Sequence, residues 1–565
     1  MSWPGARRMA TAALRRHWLI SALLLAGLML RVLAVIAYQP ALLYIDSLKY
    51  VFGAWPGNDP LGYNVILKVL LLGGTLTTVA VLQHLLGLAM AVTLYLLLVR
   101  RGVPRWLAAL AAAPVLLDAY ELQIEQTIMP DVWFEACIVA GLALLLWRPH
   151  PGPRRIAAGG LALGLSAPMA QVGQILILPA LTYVLIVVTG WRRKLSQGAV
   201  LCVAFALPIV AFSMQQYAAN GHFSLAPAAG NTIYGRLAEA ADCPTLNLPS
   251  YEQAVCPSPA LARELGPDGL VHNPESPDHL YVAPPGHTHA EVISDFNRRV
   301  LTQQPLRVVG NVLRDAVKLF AVDRVTSQGD TPISRWQFQT SYPTYGTTIS
   351  LAPDHTIMLG LHFATSGGPE VIQPLPASMG GQASVVRPLA GFLRGYQLHG
   401  GYPPGPLLAL ATVAGLFGTL AVGALALARR RPGPVAERQA ARQQLALACL
   451  LVFGAAVAVL LASDAFEFSW RYQLPALVTL PPAGALGIAL GISFLRRPRT
   501  AARGPGASSG SAASEPDSRG GLPGTGQSGE PELTQPELTQ PELTQPELTQ
   551  PGRTRTPRAD GPGAG

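Results

Sequence analysis

The chain has 565 residues; half are hydrophobic, 13% are charged, the mean hydropathy is +0.32 and the net charge is +9. So little charge excludes an ordinary soluble protein of this length. The basic residues sit in short clusters beside apolar runs, the pattern of cytoplasmic membrane loops rather than of a nucleic-acid surface.

Arg7, Arg8, Arg15 and Arg16 precede an apolar run from Trp18 to Tyr38. A signal peptide's apolar region is roughly 7–15 residues, so this run of about 20 reads as an uncleaved first span. Residues 39–72 then form an outer segment. Further spans are predicted over 75–99, 104–119, 131–148, 197–214, 405–428, 443–462 and 473–494, with two more within 156–190 around Pro168–Gln174. That makes ten in all. The clusters Arg100-Arg101, Arg154-Arg155, Arg192-Arg193-Lys194, Arg429-Arg430-Arg431 and Arg496-Arg497 then all fall on one side, the cytoplasm under the positive-inside rule.

The expected fold is an all-α polytopic membrane protein of about ten transmembrane helices, with a mixed extracytoplasmic loop domain and a disordered C-terminal tail. Its divisions are a basic cytoplasmic N-terminus (1–16), an N-terminal transmembrane module (17–214) with outer loops 39–74 and 118–131, an extracytoplasmic domain (215–400), a C-terminal transmembrane module (401–497) and a cytoplasmic tail (498–565). The tail is rich in Gly, Ser and Pro and repeats PELTQ four times over Pro531–Gln550, a composition that cannot bury a core. The expected location is the plasma membrane, with both termini cytoplasmic.

Cys137, Cys202 and Cys449 lie in apolar runs and read as packing residues. Cys243 and Cys256 lie in the large loop; outside the cytoplasm a disulfide between them would persist, and no further ligands favour a metal or redox centre. Residues 291–322 carry apolar positions Val308, Val312, Val317 and Phe320 at helical spacing, and Pro305 begins a second helix. This segment either lies on the outer leaflet or packs on the loop domain.

Three places near the outer boundary carry groups suited to chemistry. The first loop, YIDSLKYVFGAWPGNDPLGYNVILK, holds Asp46, Lys49, Asp59 and Lys68. A carboxylate there can deprotonate an acceptor hydroxyl, and Lys49 or Lys68 can hold a phosphate. The second place, LLDAYELQIEQTIMPDVWFE, holds Asp118, Glu121, Glu125 and Asp131. Glu121 and Glu125 share one helix face, so a cation, substrate or metal is expected to offset them; Asp131 with Glu125 could hold a divalent ion such as Mg or Mn. Asp131 also reads simply as an acid favoured at a helix N-terminus. The third, SDAFEFSWRYQLP, places Arg471 between Trp470 and Tyr472, either to grip phosphate bidentately or as an interfacial anchor.

Together these motifs resemble the GT-C superfamily of membrane glycosyltransferases. They are most similar to the phospholipid carrier-dependent group that includes protein mannosyltransferases and aminoarabinose transferases. YIDSLKY matches the position of the family's catalytic Asp in the first outer loop, and IMPDVWF its second acid at the start of the fourth span. Lys68 in GYNVILK is the equivalent of a lysine contacting lipid phosphate, and RYQLP looks like a late RY-x-x-P element. The YGR…ADC…CP pattern and QPLRVVGNVLRDAVK are similar to actinobacterial members. Ser47 follows Asp46 where some relatives have an Asp-Glu pair, so metal use and acceptor class stay open.

The resemblance implies transfer of a sugar from a polyprenyl-phosphate donor to a hydroxyl of a glycan, lipid or protein acceptor at the outer face. Asp46 and Asp131 would be catalytic, with Lys68, Lys49, Arg471, Glu125 and Glu121 binding substrate or phosphate. A transporter or lipid flippase and a non-catalytic envelope scaffold are the competing classes. The first is expected to show internal repeats and polar residues at mid-membrane, and the acids here cluster at the boundary instead.

Overall fold

The computed structural model describes residues 15–54, 60, 62–226, 229–361, 370–427 and 434–495. Residues 1–14 of the basic N-terminus, Asp59, the 429–431 and 496–497 clusters and the PELTQ tail lie outside these residues.

The chain is mostly helical. Helix α1 (Trp18–Ala37) leads through β1 (Tyr38–Gln39) to short helices α2 (Ser47–Phe52) and α3 (Gly62–Leu70). Then follow α4 (Leu76–Arg100), α5 (Arg105–Leu117), α6 (Ala119–Gln126), α7 (Asp131–Leu146), α8 (Pro153–Gly164), α9 (Ile177–Val187) and α10 (Trp191–Asn220). After the loop region come α17 (Gly405–Leu427), α18 (Pro434–Asp464) and α19 (Leu480–Leu495).

Among the described residues, six helical segments are long and apolar enough to cross a membrane: α1, α4, α10, α17, α18 and the stretch Trp470–Leu495. A seventh is α5 with α6, bent by 48° where Asp118 interrupts the run. The expected spans over 131–148 and 156–190 are shorter: α7 has 16 residues, α8 has 12, and Gln171–Val187 is an apolar segment in the same class. A straight crossing needs about 20. Helix α7 buries most of its residues, whereas the segments within 156–190 expose Leu161, Leu165, Leu178 and Ile186. Lipid-facing character is clearest on α1, α10 and α17, where Met29, Val203 and Leu420 are each more than 60% exposed.

The two ends of the bundle differ in chemistry. At one end Arg100 donates to Trp147 O, Arg101 donates to Leu146 O and Arg148 O, and Arg442 donates to Ser493 O. Asp131 begins α7 at the other end, about 24 Å away along a 16-residue helix.

Within the loop region α11 (Ala229–Ala240), α12 (Pro259–His272), α13 (Pro277–Leu280), α14 (His289–Gln303) and α15 (Pro305–Ala316) precede two small sheets. Antiparallel strands β2 (Ile349–Leu351), β3 (Ile357–Leu361) and β4 (Val371–Pro374) form one. In the other, β5 (Ser384–Val385) pairs with β1, Tyr38 facing Val385. Helix α16 (Arg387–Leu398) then packs on α1. This region has its own apolar core around Tyr234, Leu237, Phe296 and Val300. The Cys243–Cys256 disulfide is formed. The 291–322 segment divides as expected, Thr288 and Glu291 forming a capping box for α14 and Pro305 opening α15. Its two helices differ in burial. Helix α14 buries Val292 and Phe296 in the core, while α15 turns Leu306, Val309 and Leu313 outward.

Candidate functional site

The first outer loop is tied to the segment before α7 by backbone. Leu42 N donates to Gln126 O, and Ile128 N donates to Leu42 O, each at 3.0 Å. Tyr342 reaches over to donate its hydroxyl to Ala41 O at 2.7 Å. This zipper brings Asp46, just before α2, to Asp131 in the first turn of α7. Arg471, in the 3-10 turn Trp470–Ala476, joins them. Its Nε donates to Asp131 Oδ1 at 2.8 Å and its Nη1 to Asp46 Oδ2 at 3.0 Å. Lys49 Nζ lies 3.0 Å from Asp46 Oδ1. The guanidinium also lies over the rings of Trp336 and Tyr472, at 5.4 and 5.1 Å from their centroids. Two carboxylates and two cations thus interlock, and Asp131 Oδ2 is left buried without a hydrogen bond.

The charges set the protonation of this cluster. Burial works against ionisation of Asp46, but Lys49 and Arg471 outweigh it and hold the carboxyl well below the usual carboxylate range. Glu467, four residues before Arg471, behaves in the opposite way. Burial first, then the nearby charges of Asp268 and Asp46, push it up to about 8, against the pull of Arg471. Sequence reasoning missed Glu467. Its signal was present, an acid four residues before Arg471, but the charge of Asp268 that acts on it comes from a distant part of the chain.

Glu125 is paired with groups other than those of the Asp46 cluster. It is fully buried, with Oε1 2.5 Å from Arg31 Nη2 and Oε2 2.6 Å from His84 Nδ1. His84 Nε2 meets Gln126 Oε1, and Gln83 donates to Glu125 O and Thr127 O. Arg31 is a charge within the first apolar run, and its partner on α6 neutralises it there. Gly87 permits the pair to form, since a Cβ at that position would fall 1.9 Å from Glu125 Oε1. This network fixes α6, and α6 fixes the zipper that presents Asp131.

Asp131 and Glu125 therefore do not fit a shared divalent cation: each is already neutralised by its own arginine, and among the described residues no group of three or more His, Cys, Asp or Glu is arranged to hold a metal. Glu121 is buried beside Glu135 and has no cation partner among the described residues. Lys68 lies exposed in the last turn of α3 and makes no ion pair with an acid among the described residues; Lys49 and Arg471 are the described cations that the fold brings to Asp46. Asp118 caps α6, accepting from Tyr120 N and Glu121 N, and pairs with Arg324 at 2.7 Å. Removing the Glu125 carboxylate (Glu125→Ala) leaves Arg31 buried and unpaired. It should destabilise the protein by about 3–5 kcal/mol, read as a fall in Tm that chelators do not reproduce in the parent.

No protein-family model matches the sequence, and no curated protein matches it. Two solved structures are similar. One is the Saccharomyces cerevisiae protein O-mannosyltransferase Pmt1-Pmt2 complex bound to the sugar donor, with 16% identity and a TM-score of 0.30 over 37% of this chain and 34% of that one. The other is the Archaeoglobus fulgidus oligosaccharyltransferase AglB in complex with an inhibitory peptide and a dolichol-phosphate, with 13% identity and a TM-score of 0.37 over 85% of this chain and 51% of that one. The chain thus spans about a third and about half the length of these two proteins. Both are membrane glycosyltransferases, the class that the sequence motifs resemble. Likenesses this partial carry no weight for the chemistry.

Proposed function

We propose that this protein transfers a sugar from a polyprenyl-phosphate donor to an acceptor hydroxyl at the non-cytoplasmic face of the membrane. The observation that carries the reading is the Arg471 guanidinium shared between Asp46 and Asp131, three groups from separate parts of the chain meeting at the end of the bundle opposite Arg100 and Arg101. The positive-inside rule assigns that basic end to the cytoplasm.

In this reading the cluster rests in a self-neutralised state. The donor's phosphate draws Arg471 and Lys49 to itself, because both are charge-assisted donors to phosphate oxygens. Asp46 then loses the two cations that depress its basicity and becomes able to accept a proton. The acceptor oxygen attacks the anomeric carbon as its proton passes to Asp46. The bond from that carbon to the phosphate oxygen breaks, and the carbon inverts. Polyprenyl phosphate leaves with its added charge held by Arg471 and Lys49. Asp131 orients the guanidinium through Nε.

The test is incubation of purified protein in lipid nanodiscs with polyprenyl-phosphate sugars and a panel of hydroxyl-bearing acceptors, with detection of the glycosylated product. Passage of labelled donor across vesicles without product would instead support a transporter.

Glu467 adds a pH prediction. Below about pH 8 it is protonated and neutral; above, its charge competes with the donor phosphate for Arg471. The donor KM is expected to rise as pH increases through about 8, with kcat less affected. Glu467→Gln should flatten that rise. A parent-like pH profile in the variant would assign the titration elsewhere.

A further inference from the structure

Beside the charged cluster lies a cavity of about 390 Å³ lined by the 334–345 segment, Leu42 and Gln123. Its size is within the ~300–1,000 Å³ of small-molecule sites. Two of its lining residues contact Tyr44, which precedes Asp46 in the loop. Tyr345 meets Tyr44 edge-on at 5.2 Å, two residues before Asp46, and Arg335 donates to the Tyr44 hydroxyl at 3.1 Å.

The lining has a consistent chemistry. Ser334, Gln337, Gln339 and Thr344 offer hydroxyls and amides, and Tyr342 and Tyr345 offer aromatic faces. Among the described residues no carboxylate lines it. The one charged lining group, Arg335, already meets Asp268 at 3.6 Å. Gln123 is 95% removed from solvent, yet its Oε1 has no hydrogen-bond partner. A buried amide left partly unpaired is costly, so an amide side chain that lines a polar cavity is a place for a ligand hydroxyl to bond. A hydroxyl both donates and accepts, so either orientation of the Gln123 amide serves it.

We infer that this cavity binds a neutral sugar ring of a saccharide acceptor, with a ring hydroxyl donating to Gln123 and the acceptor's reactive end directed past Tyr44 toward Asp46. The acceptor role rests on the proposed glycosyl transfer; the binding of a saccharide does not. A neutral polyol satisfies amides and hydroxyls together, whereas an anionic ligand would find its only lining cation already paired.

The test uses the full-length protein in nanodiscs and saturation-transfer NMR with neutral trisaccharides of mannose, galactose and glucose, alongside a neutral tripeptide. At least one trisaccharide is expected to bind. Gln123→Leu should weaken that binding by roughly tenfold, the loss of one buried hydrogen bond. Thr344 is exposed, so Thr344→Trp should fold normally and block the cavity, which keeps the test decisive if the Gln123 variant is unstable. Binding of none of the trisaccharides, binding that both cavity variants leave intact, or binding of the peptide alone overturns the inference. Saccharide binding without any sugar transfer would retain the cavity assignment and remove the proposed enzyme; transfer without saccharide binding would do the reverse.

Discussion

Replacing Asp46 by Asn should lower sugar transfer by roughly 10²–10⁴-fold, the usual contribution of a positioned general base, while leaving the protein folded. Asn keeps the shape and a hydrogen-bond acceptor for Lys49 and Arg471 but cannot take the proton. The side chain of Asp46 is 22% exposed, so the loss of its charge is met partly by solvent. Donor affinity should be unchanged or slightly higher, because one fewer carboxylate competes with phosphate for Arg471. The measurement is single-turnover transfer together with donor binding on the same preparation. Full activity in the variant would remove Asp46 as the base. Lost donor binding with little effect on the chemical step would recast it as a structural anchor.

Substitution of Arg471 has the wider consequence, since one guanidinium serves both acids. Its side chain is 7% exposed and that of Asp131 is 11%. Arg471→Ala leaves two carboxylates crowded together with only Lys49 nearby, and a buried pair broken on one side costs about 3–5 kcal/mol. Arg471→Lys keeps a charge, but a single ammonium does not reproduce two directed N–H donors in one plane. Both variants should lose donor binding, and Ala should also lower Tm markedly. Combining Arg471→Met with Asp131→Asn removes a charge on each side and should recover much of the stability without recovering transfer. If the double variant were also active, phosphate would be held elsewhere. Exposed Lys68 would then be the group to test, as the family resemblance first suggested.

The sequence alone was enough for the class of protein. Apolar runs with basic clusters at alternate ends can be read locally, because the cost of burying charge in lipid acts residue by residue. The capping box at Thr288 and the start of α15 at Pro305 are equally local signals, and the cysteine pair lies only 13 residues apart. The same reading singled out Asp46, Asp131 and Arg471.

The pairings among these groups were decided by tertiary structure. Arg31 meets Glu125 across 94 residues, Arg471 meets Asp131 across 340, and Arg471 meets Asp46 across 425. Closeness in sequence could suggest that Glu125 and Asp131 share a cation, but it could not reveal that a different arginine waits for each. Nor could it show that the charge of Asp268 acts on Glu467, or that Gln123, its buried oxygen unpaired, lines a cavity with residues 334–345. Helical periodicity reports which face of a segment is apolar. Which distant charge comes to rest against that segment depends on how whole helices and loops pack, and the low dielectric inside makes those pairings mutually dependent.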